Sequence, residues 1–484
     1  MPINKTLELY RKYKGLLIVL INGVVIMSLE LTGSRLLAPY FGSSFYVWTG
    51  VIGVVLSFLS AGYWYGGKLA DRHASYGVLS KLLALATSVL LVTIYFAPYV
   101  IYWISGSGVS LIAGSFLATM YLFGPLNFIL GMVSPFVAKL ILTDKKHSGE
   151  LVGKVFAFGT IGSIIGTFIT GYILFSFVGS TRIIFAGAVC LAILSIIANR
   201  RDWIWAKVVL LLVGSLMLVL YTPPELLGRQ VVYDADTQYS KVTVYDTTMA
   251  NQPVRLLATD ALSAQSGINI ETQESPFEYM KAFEEVLKGR GIDSALLIGG
   301  GTFTLDKTFH KNTQDAQLDI VEIDPALKEL ASEYFGFDDS SNTNIINADG
   351  RTFLNHNSNK YDIVFVDAFS SRTSPFHLTT SEAVNGIRNA LEDNGIVVVN
   401  IISRNTKDNN LLQAKAATYK QQFKYVEAYK IQKRAPDVLQ NNILIASNTA
   451  ISLSDAEVFK NKIDIDTDIR PLTDEFAPIE LLTY

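Results

Sequence analysis

Two stretches of this chain carry residue types and spacings suited to chemistry on a nucleoside. The first is Ser294-Ala-Leu-Leu-Ile-Gly-Gly-Gly-Thr-Phe-Thr-Leu305, and Asp319-Ile-Val-Glu-Ile-Asp324 follows after about twenty residues. An apolar strand ending in Gly299, Gly300 and Gly301 lets backbone approach a ligand. An acid closing the next strand can accept hydrogen bonds from both ribose hydroxyls while excluding a 2′-phosphate, and Glu322 occupies that position. A glycine run can also be no more than a tight strand-to-helix turn. The second stretch weighs against that, because acids recur at later strand ends: Asp349 in Asn347-Ala-Asp-Gly350 and Asp367 in Val364-Phe-Val-Asp-Ala368. One cradle would then hold ribose at Glu322, an adenine amino group at Asp349 and the reacting centre at Asp367. Any single acid can instead cap a helix, but three on successive strands favour a site.

These residues need a sheet to position them. Strands are predicted near 294–299, 317–322, 343–347, 361–367 and 395–402, with helices near 276–288, 325–335 and 380–392. Such alternation predicts a parallel sheet covered on both faces, a Rossmann-like α/β domain over 284–484 with ligands at the carboxyl ends of its strands. Ahead of it, alternation at Gln238–Tyr245 and Val254–Thr259, separated by Met249-Ala-Asn-Gln-Pro253, predicts a small antiparallel β subdomain. With its linker that subdomain spans 223–283.

Residues 1–222 are of another kind. Only 17% of the chain is charged, against roughly 25% in soluble domains, and the deficit lies before Pro223. Apolar runs at Leu16–Ala38, Val47–Gly67, Leu79–Ala97, Val109–Ile141, Val152–Phe175, Thr181–Ala198 and Ile204–Tyr221 predict an α-helical bundle of about seven membrane spans. The fourth is long enough to tilt or to kink at Pro125 or Pro135. The first is too long for a cleaved signal and is expected to be retained. Gly62 with Gly66 and Gly162 with Gly166 mark close helix packing. Glu30 and Arg35 are ionisable groups at membrane depth, either functional or an internal pair that fixes the bundle. Gly66-Gly67-Lys68-Leu69-Ala70-Asp71-Arg72 resembles the loop between the second and third helices of major-facilitator transporters.

Lys and Arg cluster before span one and between spans two and three, four and five, and six and seven, which places the N-terminus in the cytoplasm of a multi-pass cell-membrane protein. Seven spans would leave the second half outside the cytoplasm, at odds with a cofactor made inside the cell. A net charge of −3 offers no basic face, so no nucleic-acid partner is expected. The lone Cys190 excludes a disulfide framework, and His310, His356 and His377 show no ligand spacing, so no metal is expected.

The order of Gly299-Gly-Gly301, Val321-Glu-Ile-Asp324, Asp349-Gly350, Tyr361-Asp-Ile-Val-Phe-Val-Asp367 and Leu378-Thr-Thr380 resembles the spermidine synthase (polyamine aminopropyltransferase) family. With the apolar half in front and Leu472-Thr-Asp-Glu-Phe-Ala-Pro478 near the end, the chain is most similar to the membrane-fused branch. The resemblance implies transfer of an aminopropyl group from decarboxylated S-adenosylmethionine to a small amine such as putrescine. It implies Gly299, Gly300, Gly301, Glu322, Asp349 and Gly350 as cofactor-binding residues and Asp367 as the base. Tyr239, Asp260, Gln265 and Tyr279 stand where substrate-binding groups of the family stand. It further implies a homodimer, unless the membrane half replaces that contact.

Departures from the family pattern are specific. Its second acid is Ser370 here, its gate reads Ser275-Pro-Phe-Glu-Tyr-Met280, and Thr302-Phe303 replaces Asp-Gly after the glycines. Asp474 and Glu475 either restore negative charge or only cap the domain. Loss of an acid at Thr302 leaves intact S-adenosylmethionine and methyl transfer open as an alternative. A transport module with a nucleoside- or polyamine-sensing domain is a further one.

Overall fold

The computed structural model describes residues 2–42, 45–142, 148–221, 229–259, 264–313, 315–338, 342–369, 374–406, 411–432, 434–453, 455–466 and 469–483. Asp260 and Ser370 lie outside the described residues. The chain divides into two compact units, Met1–Leu226 with Asp236–Ser240, and Leu227–Ala235 with Lys241–Tyr484.

The first unit is helical: α1 (Pro2–Phe41), α2 (Phe45–His73), α3 (Tyr76–Gly106), α4 (Leu111–Ile141) and α5 (Ser148–Ile169). A π-turn at Thr170–Leu174 carries α5 into a last turn, α6 (Phe175–Phe177), followed by α7 (Ser180–Ala198) and α8 (Ile204–Leu220). Every predicted apolar run is a helix. Six of these helices are long and apolar enough to cross a membrane, whereas α8 has 17 residues, short of the roughly 20 a span needs. α4 runs unbroken through Pro125 and Pro135.

The glycine pairs act as expected. A Cβ at Gly62 would strike the Phe128 carbonyl of α4, and one at Gly162 the Leu20 carbonyl of α1. Arg35 places its guanidinium over the Phe175 ring at 4.2 Å, a cation–π contact inside the helical unit. The transporter-like segment Gly66–Arg72 is the last two turns of α2 rather than a loop, and the connection to α3 is only Ala74-Ser75.

The second unit opens with a four-stranded antiparallel sheet of β1 (Gln230–Asp236), β2 (Lys241–Met249), β3 (Gln252–Ala258) and β4 (Ser266–Asn269). Ala250 and Asn251 both take positive φ, 49° and 62°, the conformation a two-residue hairpin turn requires. The strand predicted from Gln238 begins only at Lys241, because Thr237 turns the chain by bonding Ser240.

Then follow α9 (Glu278–Leu287), β5 (Ser294–Ile298), α10 (Thr304–Asn312), β6 (Gln317–Glu322), α11 (Ala326–Tyr334), β7 (Thr343–Asn347), α12 (Gly350–His356), β8 (Tyr361–Val366), α13 (Ser381–Ala390), β9 (Leu391–Ser403), α14 (Leu411–Lys420), β10 (Tyr425–Lys430), β11 (Gln440–Ser447), β12 (Lys462–Ile463) and α15 (Ile479–Thr483). Their strands form one sheet ordered β12-β10-β11-β9-β8-β5-β6-β7.

Strands β7, β6, β5, β8 and β9 are parallel, as alternation with helices demands. The sheet is nonetheless mixed, since β11, β10 and β12 add an antiparallel edge. Apolar side chains of α9, α10 and α11 cover one face, and those of α12, α13 and α14 the other. β5 pairs β6 on one side and β8 on the other, so strand order reverses at the β5–β8 junction. In an open α/β sheet, the crevice above such a reversal is where ligands bind.

Candidate active site

The glycine turn sits at that junction. Gly299 has φ +97°, and a Cβ there would lie 2.6 Å from the Asp367 carbonyl, so the end of β8 can approach only a bare backbone. Gly301 follows at φ +56°, and Phe303 enters α10 at φ +57° with its ring buried on Phe337, 4.9 Å between centroids. Thr302 is buried and its hydroxyl bonds that of Ser266 on β4.

Glu322, 6% exposed, turns back onto the glycines. Its Oε2 accepts from the Gly300 N–H at 2.7 Å and the Gly301 N–H at 3.4 Å, and its Oε1 from the Asp324 N–H at 2.9 Å. Burial pushes this carboxyl above its ordinary range, and the Asp324 and glycine N–H groups pull only part of the way back. The acid read as a ribose ligand is thus also the clamp of the turn.

Asp349 is the N-cap of α12, its Oδ1 accepting from the Thr352 N–H at 2.8 Å. Its Oδ2 lies 3.2 Å from His377 Nε2. Burial opposes its charge, but the Thr352 bonds and the His377 ring outweigh that and hold the carboxyl below its usual range. Gly350, the first residue of α12, is buried where a Cβ would meet Ile298 at 2.7 Å.

Asp367 ends β8 on the face covered by α9. Its Oδ1 accepts from Asn400 Nδ2 at 2.9 Å, and the Tyr279 phenol lies beside the same carboxylate. Burial pushes its pKa up to about 6, with Asn400 and Tyr279 working in the opposite direction. Tyr279, on α9, is buried against Phe283, and its phenol is pushed well above its ordinary range, first by burial and then by the adjacent carboxylate. A carboxylate pushed up to about 6, on a residue whose backbone abuts the glycine turn, suits a general base.

The other residues singled out in the sequence are less involved. Gln265 bonds its backbone N–H to the Leu257 carbonyl, and Tyr239 is an exposed residue of the β1–β2 turn whose N–H donates to Thr237. Asp474 is tied down: its carboxylate accepts from Arg351 at 2.8 Å and from Thr380 at 2.6 Å, so it fastens the C-terminal segment to α12 and α13. Among the described residues, no group of three or more His, Cys, Asp or Glu is placed to hold a metal.

Asn400 and Asn441 were not singled out by sequence reasoning, and His377 entered it only as a histidine without metal-ligand spacing. Asn400 lacked the signal that marked Glu322 and Asp367, since it lies inside the apolar run Ile396–Ile402 rather than at a strand end.

Residues 275–450 match the spermine/spermidine synthase domain. A polyamine aminopropyltransferase of Vibrio vulnificus is 24% identical over 301 residues, covering 56% of this chain and 98% of its own length. A probable polyamine aminopropyl transferase of Bifidobacterium longum is 34% identical over 109 residues, 22% of this chain and 24% of its own. An N-terminal histidine N-methyltransferase of Emericella nidulans is 32% identical over 112 residues, 22% of this chain and 19% of its own. The C-terminal part of this chain is therefore a spermine/spermidine synthase domain, the domain of an aminopropyltransferase enzyme.

Proposed function

We propose that the chain is a membrane-bound transferase that moves an aminopropyl group from decarboxylated S-adenosylmethionine to an amine acceptor such as putrescine. The observation that carries this reading is the Asp367 carboxylate, which accepts from Asn400 and lies beside the Tyr279 phenol, on a residue whose backbone abuts the Gly299 turn. The residues fit a nucleoside. Glu322 is buried beside bare glycine backbone and, once ionised, can only accept hydrogen bonds, as ribose hydroxyls need.

When bound, the sulfonium supplies an activated carbon and leaves as a neutral thioether. An amine attacks only when it carries a free electron pair. Asp367 holds the ammonium and takes its proton, the free amine so formed makes the new C–N bond as the C–S bond breaks, and the proton passes to solvent afterwards. Tyr279 and Asn400 keep the carboxylate ionised while it waits. Gly299, Gly300, Gly301, Asp349 and Gly350 form the remainder of the nucleoside cradle, and Asp260, Gln265 and Tyr239 are proposed acceptor contacts.

The six long apolar helices support placement in a bilayer, with the basic N-terminal segment on the cytoplasmic side. Thr302, which bonds Ser266 and leaves no acid next to the glycines, favours intact S-adenosylmethionine as the second reading.

Calorimetric titration of the full chain in detergent with decarboxylated and intact S-adenosylmethionine separates the two, with Glu322→Ala as control. Tighter binding of the decarboxylated form, lost in the control, supports aminopropyl transfer. Tighter binding of the intact form moves the reading to methyl transfer. If neither binds, nucleoside chemistry at this site is excluded.

A further inference from the structure

The amide of Asn400 is 3% exposed inside β9, which runs on to Ser403, and both of its ends are committed. Its Nδ2 donates to Asp367 Oδ1 at 2.9 Å, and its Oδ1 accepts from Asn441 Nδ2 of β11 at 3.0 Å. Pairing of Asn400 with Ile443 and of Ile402 with Asn441 puts both asparagines on the sheet face that Asp367 and Tyr279 share. The second bond decides the sense of the first. With Asn441 donating to the amide oxygen, only the amide nitrogen can face Asp367. Without it, a half-turn of the side chain would point a carbonyl at the carboxylate and repel its charge.

We propose that Asn400, held by Asn441, is a positioning residue that occupies one oxygen of Asp367 and presents the other to the reacting amine. This rests on the aminopropyl-transfer reading. It assigns the proton to the carboxylate oxygen that the Asn400 amide leaves open. It also gives the antiparallel edge of the sheet a part in the chemistry, since β11 supplies the residue that orients the orienter.

The groups that face the Asp367 carboxylate are the Tyr279 phenol from α9 and the Asn400 amide from β9. Among the described residues, no lysine, arginine or second acid bears on its charge. Loss of the Asn400 bond therefore has one dominant electrostatic effect, which is to make Asp367 harder to ionise.

The test is the pH dependence of aminopropyl transfer by the full chain in detergent, with amine in excess, for the native protein, Asn400→Val and Asn441→Ala. In Asn400→Val the acid limb, native at about 6, moves up by about one unit, a roughly fivefold loss at about pH 6 that fades to about twofold at about pH 7. Asn441→Ala moves the limb in the same direction by less, and covers the case in which Asn400→Val does not fold. A loss of rate that is constant across pH would overturn the proposal and leave Asn400 a packing residue. A ¹³C titration of the Asp367 carboxyl, assigned by difference from Asp367→Asn, reads the same shift without turnover. A shifted carboxyl in a chain that transfers no aminopropyl group keeps the relay and sinks the transfer reading. Turnover with an unshifted carboxyl does the reverse.

Discussion

The Tyr279 phenol on α9 faces the Asp367 carboxylate at the end of β8. It ties the helix that follows the small antiparallel sheet to the strand that carries the candidate base. One partner is an acid pushed up to about 6 and the other a phenol pushed far up, so at neutral pH the phenol donates and the carboxylate accepts.

That geometry has a cost in stability with a definite sign. Between its ordinary value of 3.8 and about 6, the folded chain holds the Asp367 proton while the unfolded chain has released it. Stability therefore falls as pH rises through this window, and the full penalty is present above about pH 6. Asp367→Asn should abolish turnover, leave nucleoside affinity nearly intact and stabilise the domain by about 2 kcal/mol at about pH 8. At about pH 4 the stability gain should be mostly gone. Thermal melts of both proteins at the two pH values check it, and an equal gap at both contradicts it.

Lys415 on α14 offers the opposite sign. It is buried, its ammonium donates to Ser374 at 2.8 Å, and burial pulls its pKa down to about 7 from 10.5. Between these values the folded chain holds fewer protons than the unfolded one, so stability rises with pH across the window. Lys415→Met should stabilise by about 2 kcal/mol near neutral pH, and the gain should shrink as pH approaches 10. Chemical denaturation at the two ends of that range measures the difference.

Gly299→Ala forces a Cβ onto the Asp367 carbonyl at a position with φ +97°. A cost of about 2 kcal/mol or more follows from the strained backbone and the clash. Because the end of β8 must move, turnover should fall further than stability alone explains. Activity assayed well below the melting temperature separates the two effects.

Asp349 has two roles that different substitutions pull apart. Asp349→Ala removes the cap of α12 and should cost about 1 kcal/mol. Asp349→Asn keeps the cap but loses the charge that faces His377, 3.2 Å away. If this acid also reads adenine, the Asn variant should melt like the native chain yet bind the nucleoside more weakly. Paired melts and calorimetry decide, and unchanged binding in both variants would leave Asp349 a cap alone.

Much of this was legible in the sequence for a simple reason. An apolar strand that ends in glycine or acid announces both its burial and the place where it stops, so Gly299, Glu322 and Asp367 could be placed at strand ends before any fold was known. The helical half was equally readable, because each of its long apolar runs forms a helix. β10, β11 and β12 were not, since these antiparallel strands follow one another with no α-helix between them to mark an alternation. The hydrogen bond between Asn400 and Asp367 depends on β8 and β9 lying side by side, which local pattern does not reveal. The second use of Glu322, as clamp of the glycine turn, was hidden for the same reason.

The reversal of strand order between β5 and β8 also sets a schedule for the chain as it is made. β5 meets β6 soon after synthesis, but its other edge waits for Tyr361–Val366, after β6, α11, β7 and α12 have all emerged. Until then an apolar strand edge lies open, the kind of surface that recruits other chains. Because Gly299 and Asp367 sit on the two sides of that gap, the candidate site comes into being with the pairing that closes it. A chain stalled before β8 would be both inactive and prone to aggregate.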